Sequence, residues 1–96
     1  MTDFVIRAAT AGDAAAIVGL LREFAAYENV LDHFTLTEAQ VARDLLGAAC
    51  YCELAFHDDE AVGIATWFWT YKSFRALKSL YVEDLYVRPG PHYPID

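Results

Sequence analysis

Apolar residues recur along this chain in two rhythms. Phe4-Val5-Ile6-Arg7 is a short β-branched and aromatic run that gives way to small residues, which predicts a first strand. Thr10-Ala11-Gly12-Asp13 then sets a hydroxyl three residues ahead of a carboxylate. Thr10 can cap the free amides of a helix start, and Asp13 stands for the Glu of a capping box near the positive end of the helix dipole. Ala14, Ile17, Leu20, Leu21 and Phe24 follow at helical spacing and predict an amphipathic helix through about Tyr27. Asn29 to Phe34 has no period. Thr37-Glu38-Ala39-Gln40 repeats the capping-box logic and opens a second helix, carried by Val41 and Leu45 and stopped at Gly47.

From Cys50 the rhythm becomes that of strands. Cys50 to Phe56 is extended, Asp58-Asp59-Glu60 supplies a polar turn, and Ala61 to Tyr71 returns as the second arm of a hairpin. That arm is apolar on both faces, which predicts a central strand covered on both sides. Lys72 to Lys78 reads as a basic loop and Ser79 to Val87 as one more strand. Arg88-Pro89-Gly90-Pro91-His92-Tyr93-Pro94 cannot continue a strand or begin a regular helix, because prolines remove amide donors and fix turns. The order of strand, two helices and three mostly antiparallel strands is an α+β arrangement, and there are no repeats or low-complexity tracts.

At 96 residues the chain is one domain or part of one. With 56% hydrophobic and 15% aromatic residues, disorder is excluded as a description of the whole. Acidic residues outnumber basic ones 14 to 7, and the net charge of −7 repels a phosphate backbone, so nucleic acid is not an expected partner. The start lacks the basic head and apolar core of a signal peptide and no apolar run is long enough for a bilayer, so no membrane partner and a cytoplasmic location are expected. Cys50 and Cys52 stand two apart on one strand, a poor geometry for a disulfide, and read as free thiols. A metal site from Cys50, Cys52 and His57 has no second ligand pair, so no metal is expected.

The segment richest in chemistry is Leu80-Tyr81-Val82-Glu83-Asp84-Leu85-Tyr86-Val87, a strand with two adjacent carboxylates at its centre. Neighbouring residues point to opposite faces, so one of the two acids must lie under whatever covers the sheet, where desolvation makes a carboxylate a better general base. An exposed sheet face, or an ion pair with a basic residue between Lys72 and Lys78, accounts for the pair equally well.

Tyr81-Val82-Glu83-Asp84 followed by Leu85-Tyr86-Val87-Arg88-Pro89 resembles the fourth strand of the diamine and polyamine (spermidine/spermine) acetyltransferase branch of the GCN5-related N-acetyltransferase (GNAT) family. Phe4-Val5-Ile6-Arg7 with Ala9-Thr10 and Asp13, the pair Tyr27-Glu28, and Val62-Gly63 with Thr70-Tyr71 are similar too, so the resemblance runs through Pro89. It implies the N-terminal half of the GNAT acyl-CoA N-acyltransferase fold over 1–89, with 90–96 as a tail foreign to the family. It also implies direct transfer of an acetyl group from acetyl-CoA, the co-substrate, to a primary amine of a small cationic diamine or polyamine. Glu83 becomes the base or water-mediated proton acceptor, with Asp84 assisting or fixing the ammonium. Tyr27, Glu28 and Glu83 face the amine, and the backbone of Leu85, Tyr86 and Val87 faces the acetyl-pantetheine arm.

The resemblance stops after the fourth strand. The family continues with an Arg-x-x-Gly-x-Gly or Arg-x-x-Gly-x-Ala loop whose amides cradle a pyrophosphate at a helix start. Here prolines flank Gly90, and the family's third helix, fifth strand and the tyrosine that protonates the thiolate do not follow. The 96 residues alone are therefore expected to be inactive or very weak as an acetyltransferase. The alternative is a truncated, non-catalytic half that dimerises or holds amines. Tyr93, Arg75 and Lys78 are not assigned the missing roles. The last strand is expected to present an unpaired edge, which favours a homodimer.

Overall fold

The computed structural model describes residues 4–90. The expectations for the tail from Pro91 to Asp96, Tyr93 among them, lie outside the described residues.

Phe4–Ala8 forms β1. The capping segment bends as a 3₁₀ turn over Ala11–Asp13, and α1 runs over Ala14–Tyr27. Asp13 organises this start. Its Oδ2 accepts from the Thr10 amide at 2.8 Å and the Thr10 hydroxyl at 3.0 Å, and its two carboxylate oxygens accept from the Arg7 guanidinium at 2.8 and 3.0 Å. The far end of α1 closes on Asn29, whose φ is 61°. The Val30 amide donates to Ala25 O at 2.8 Å and the Asn29 amide to Ala26 O at 3.1 Å, the pair of bonds by which a left-handed residue ends a helix.

A 3₁₀ turn over Leu31–His33 leads to α2, Glu38–Asp44. Its capping box is reciprocal: the Gln40 amide donates to Thr37 Oγ1 at 3.2 Å, and the Thr37 amide donates to Gln40 Oε1 at 3.1 Å. Gly47, at φ 109°, lies in the turn beyond it.

β2 (Tyr51–His57), β3 (Glu60–Lys72) and β4 (Leu77–Val87) complete an antiparallel sheet in the order β1-β2-β3-β4. Asp58 and Asp59 both take positive φ, as a tight two-residue hairpin demands. The basic-loop expectation is corrected: Lys72 ends β3 and Lys78 belongs to β4, paired with Tyr71. The Lys78 ammonium sits 4.5 Å over the Trp69 ring, so its stem packs on the sheet and its charge finds a partner there.

Both helices pack on one face. Ile17, Leu20 and Leu21 of α1 and Val41 of α2 meet Cys52, Leu54 and Ile64 in one buried cluster. Register puts Arg7, Leu54, Ile64 and Tyr86 in one row across that face, and Cys52, Thr66 and Asp84 in the next. The opposite face carries Ile6, Ala55, Gly63 and Val87 in one row and Glu53, Ala65 and Leu85 in another. No described helix lies on it. β3 is thus central in the sheet but covered by helices on one side only, contrary to the expectation of two covers. Its second apolar row is shielded at its centre because Gly63 and Ala65 are small and sit between neighbouring strands. No helix among the described residues is long and apolar enough to cross a membrane.

Candidate functional site

The site grows from an irregularity in β4. Thr66 pairs with Asp84 and the next residue, Trp67, pairs with Val82, so Glu83 is an extra residue without a partner opposite it. Such a bulge re-aims the side chains beyond it. Leu80 and Val82 occupy the open face before the bulge, and Leu85 and Val87 regain that face after it. Asp84 turns to the helix side.

There the two acids part company. Asp84 is half-buried, and its Oδ2 accepts a 2.6 Å hydrogen bond from Thr66 Oγ1, the hydroxyl of a side chain that is 1% exposed. Glu83 is exposed at the bulge. Of the two carboxylates, Asp84 is the one under the helices.

Asp84 lines a pocket of ≈ 220 Å³ with Phe24 and Ala25 of α1, with Glu28 just past the end of that helix, and with Val30 and Phe34 of the segment that follows. Two carboxylates therefore share one largely apolar hollow. The left-handed turn at Asn29 is what swings Val30 and Phe34 under the end of α1 to wall it. A second hollow, of ≈ 360 Å³, is lined by Tyr27, Phe24, Leu85, Tyr86, Val87 and Pro89. Phe24 is common to both, so the hollows adjoin. Tyr27, 72% exposed, has its ring 6.5 Å from that of Tyr86, which in turn lies 5.4 Å from Phe24.

The structure thus brings Glu28 to Asp84, and Tyr27 to the Leu85–Val87 segment. Glu83 lines neither hollow. Arg75 lies in the exposed turn after β3. Cys52 faces the helices while His57, in the row of Phe4, faces away, so the two cannot share an ion. Among the described residues no group of three or more His, Cys, Asp or Glu could hold a metal.

An ionic strap missed by the sequence reading ties α1 to the end of β4. Arg88 donates from Nε to Glu23 Oε1 at 3.0 Å and from a terminal nitrogen to Glu23 Oε2 at 2.7 Å, and its other terminal nitrogen reaches Glu60 Oε2 at 2.8 Å. The Tyr86 hydroxyl also reaches Glu23, at 3.4 Å. Burial first, then the Glu23 charge and hydrogen bond, push the Tyr86 hydroxyl above its ordinary range. Glu23 lies on the polar flank of the α1 stripe, and nothing in the linear sequence ties it to a residue 65 positions away.

Comparison with known proteins agrees with the fold. The chain is 42% identical, over 96 aligned residues, to human (Homo sapiens) spermidine/spermine N(1)-acetyltransferase-like protein 1, covering 91% of this chain and 14% of that protein. It is 28% identical over 99 residues to thialysine N-ε-acetyltransferase from Bos taurus, covering 93% of this chain and 58% of that one. Among solved structures, an aminoglycoside acetyltransferase from an uncultured soil metagenomic sample superposes with a TM-score of 0.72 at 19% identity, covering 94% of this chain and 61% of that chain. The ribosomal-protein-alanine N-acetyltransferase of Brucella melitensis biovar Abortus 2308 gives 0.70 at 20%, covering 90% and 57%.

This chain has the fold of the N-terminal half of a GNAT acetyltransferase. Its sequence resembles the diamine and polyamine branch of that family. No family model matches the chain. It spans 14% and 58% of the lengths of the two curated relatives named above. In this fold α1 and the segment that follows it wall the acidic hollow, and the Tyr27 hollow runs over Leu85, Tyr86 and Val87 at the end of β4.

Proposed function

We propose that this chain belongs to a protein that transfers the acetyl group of acetyl-CoA to a primary amine of a small diamine or polyamine. The observation that carries the reading is the apolar hollow shared by Glu28 and Asp84. Two anions separated by apolar walls suit a ligand with two ammonium groups on an alkyl spacer, and charge-assisted hydrogen bonds to each end give both affinity and register.

Acetyl-CoA supplies the activated acyl group. The residues present fit its acyl arm, since β4 is an edge strand and the Tyr27 hollow runs over Leu85, Tyr86 and Val87, where outward backbone groups can pair with an extended amide chain. The chain's own work lies on the amine. A protonated amine is no nucleophile, so a carboxylate must take one proton before the nitrogen lone pair can form the new C–N bond. Asp84, held by Thr66, grips the ammonium and orients it, and Glu83 at the bulge accepts the proton directly or through water. Glu28 and Tyr27 hold the distal part of the amine. As the C–N bond forms, the C–S bond of the thioester breaks, and the proton released by the amine balances the departing thiolate.

A second reading, an amine-holding module without transfer, is favoured by the engagement of Arg88 with Glu23 and Glu60, which leaves that guanidinium turned to carboxylates and not to a phosphate. In either reading the chain forms a homodimer. Cys50 and Cys52, both free thiols, support a reducing, cytoplasmic setting.

Titration calorimetry with spermidine, paired with a CoA-release assay, tests these readings. Spermidine should bind, and Asp84→Asn and Glu28→Gln should each weaken it by on the order of tenfold, the loss of one charge-assisted hydrogen bond. Unchanged affinity in both variants would remove the basis for an amine ligand. Binding without CoA release would leave the amine-holding module.

A further inference from the structure

Phe24 borders both hollows of the site, and among the described residues it is the one side chain they share. We propose that its ring is a specificity-determining wall, which limits the amine to a slender, unbranched spacer between its ammonium groups. The proposal rests on the amine reading above and extends it from the charge of the ligand to its width.

Position is the first argument. Glu28 follows Phe24 by one helical turn, and its amide donates to Phe24 O at 3.0 Å, so the two side chains leave α1 on the same side. Glu28 is exposed and Asp84 is half-buried, and both line the hollow that Phe24 lines. A ligand that spans the two carboxylates therefore lies alongside the Phe24 ring.

Rigidity is the second. The Phe24 ring lies 5.4 Å from the Tyr86 ring, with the planes tilted by 31°. Tyr86 is itself braced. Its hydroxyl reaches Glu23 at 3.4 Å, and Arg88 holds the Glu23 carboxylate at 3.0 and 2.7 Å. The Tyr27 ring stands 6.5 Å from Tyr86 as well. A wall backed in this way does not swing aside for a wide ligand, because a close-packed aromatic contact would have to be broken first.

Size is the third. The amine hollow, at ≈ 220 Å³, is smaller than the roughly 300–1,000 Å³ of pockets that take drug-sized ligands. An alkyl chain can lie between its apolar walls, whereas an aromatic ring is wider and presses on Phe24. Phe24 is half-buried and is not one of the residues of the buried cluster that joins the helices to the sheet. Truncating it would open the amine hollow towards its neighbour of ≈ 360 Å³ and leave a space shaped like a phenyl ring. Apolar spaces of that kind accept an aryl group in place of the missing side chain.

The test is titration calorimetry on the full 96-residue chain with hexamethylenediamine and para-xylylenediamine. The two ligands are equal in charge and in the number of bonds between their nitrogens, and differ in width. The unaltered chain should bind hexamethylenediamine at least about tenfold more tightly. Phe24→Ala should reverse that preference, and Phe24→Leu should narrow the gap without reversing it. A far-UV spectrum and a melting curve on each sample report folding, and Phe24→Leu decides the matter where Phe24→Ala does not keep its spectrum. A general loss of packing would weaken both ligands together, so the exchange of preference is the decisive readout. Equal binding of the two by the unaltered chain, or a folded variant that keeps the parent's preference, overturns the Phe24 wall and leaves the amine reading standing. No binding of either ligand by the unaltered chain overturns both.

Discussion

Thr66 donates its hydroxyl to Asp84 across the β3–β4 pair, one residue away from the point where the register slips. Thr66 is a buried polar side chain in an otherwise apolar cluster, and Asp84 is the acceptor that satisfies it. The bond fixes the rotamer of the carboxylate that faces α1.

Thr66→Val keeps the volume and the burial but removes that donor. Folding stability should change little, since the new methyl group sits among apolar neighbours. Spermidine affinity should fall by roughly tenfold because the carboxylate is left free to turn. Calorimetry and a melting curve on the same sample check both halves. A large loss of stability with intact affinity would make Thr66 a packing residue only.

The Arg7 hydrogen bonds, with help from the Thr10 amide and hydroxyl, hold the Asp13 carboxyl well below the usual carboxylate range. A lowered folded-state value means that the stabilisation is fully present above the ordinary carboxylate range and fades as pH falls through and below it. Asp13→Asn should therefore melt a few degrees lower at neutral pH, and the gap between variant and parent should close as the pH is taken below about 4. Arg7 is 42% exposed, so solvent screening keeps the effect modest. A gap independent of pH would assign the effect to the cap alone.

Glu23 and Arg88 join α1 to the end of β4 through two parallel hydrogen bonds. Removing either partner should cost about 1 kcal/mol, seen as a drop of several degrees in Tm. The double variant should be less than additive in a denaturation cycle. Strict additivity would mean that the pair has no energetic coupling in solution.

Burial pushes the Cys52 thiol up to about 12 and raises the Cys50 thiol as well. A disulfide-exchange reagent at mildly alkaline pH should accordingly label Cys50 slowly and Cys52 only after denaturant is added, because the thiolate is the reacting form. Equal, rapid labelling of both would show that the β2 region opens readily.

Local chemistry made much of the fold legible. Thr37 and Gln40 announce the start of α2, and the apolar stripe from Ala14 to Phe24 announces the helix that buries it. Asp58-Asp59 names its own turn. Lys78 was misread because a charged residue suggests a loop until the ring beneath it is known. Asn29 carried a readable sign, a residue tolerant of left-handed backbone just past the last apolar position, yet its consequence, the walling of the acidic hollow by Val30 and Phe34, is a matter of three dimensions. The adjacency of Glu28 and Asp84 is likewise a long-range fact. Both acids were named from sequence, but only the covered side of the sheet tells which one the helices enclose.

The slip at Glu83 has left a trace in the letters themselves: apolar residues alternate at 80 and 82, then again at 85 and 87, with a beat inserted between. Glu83 therefore behaves as an insertion. Deleting it outright would let Asp84 follow Val82 directly while every later side chain kept its face, so the packing would tolerate the shorter strand and the kink alone would vanish. Substituting it would do the reverse, sparing the kink and changing the chemistry. Strand length and side-chain identity can be separated at this one position, whereas the loss of a neighbouring residue would force the strand to absorb its bulge or turn its apolar row to the wrong side.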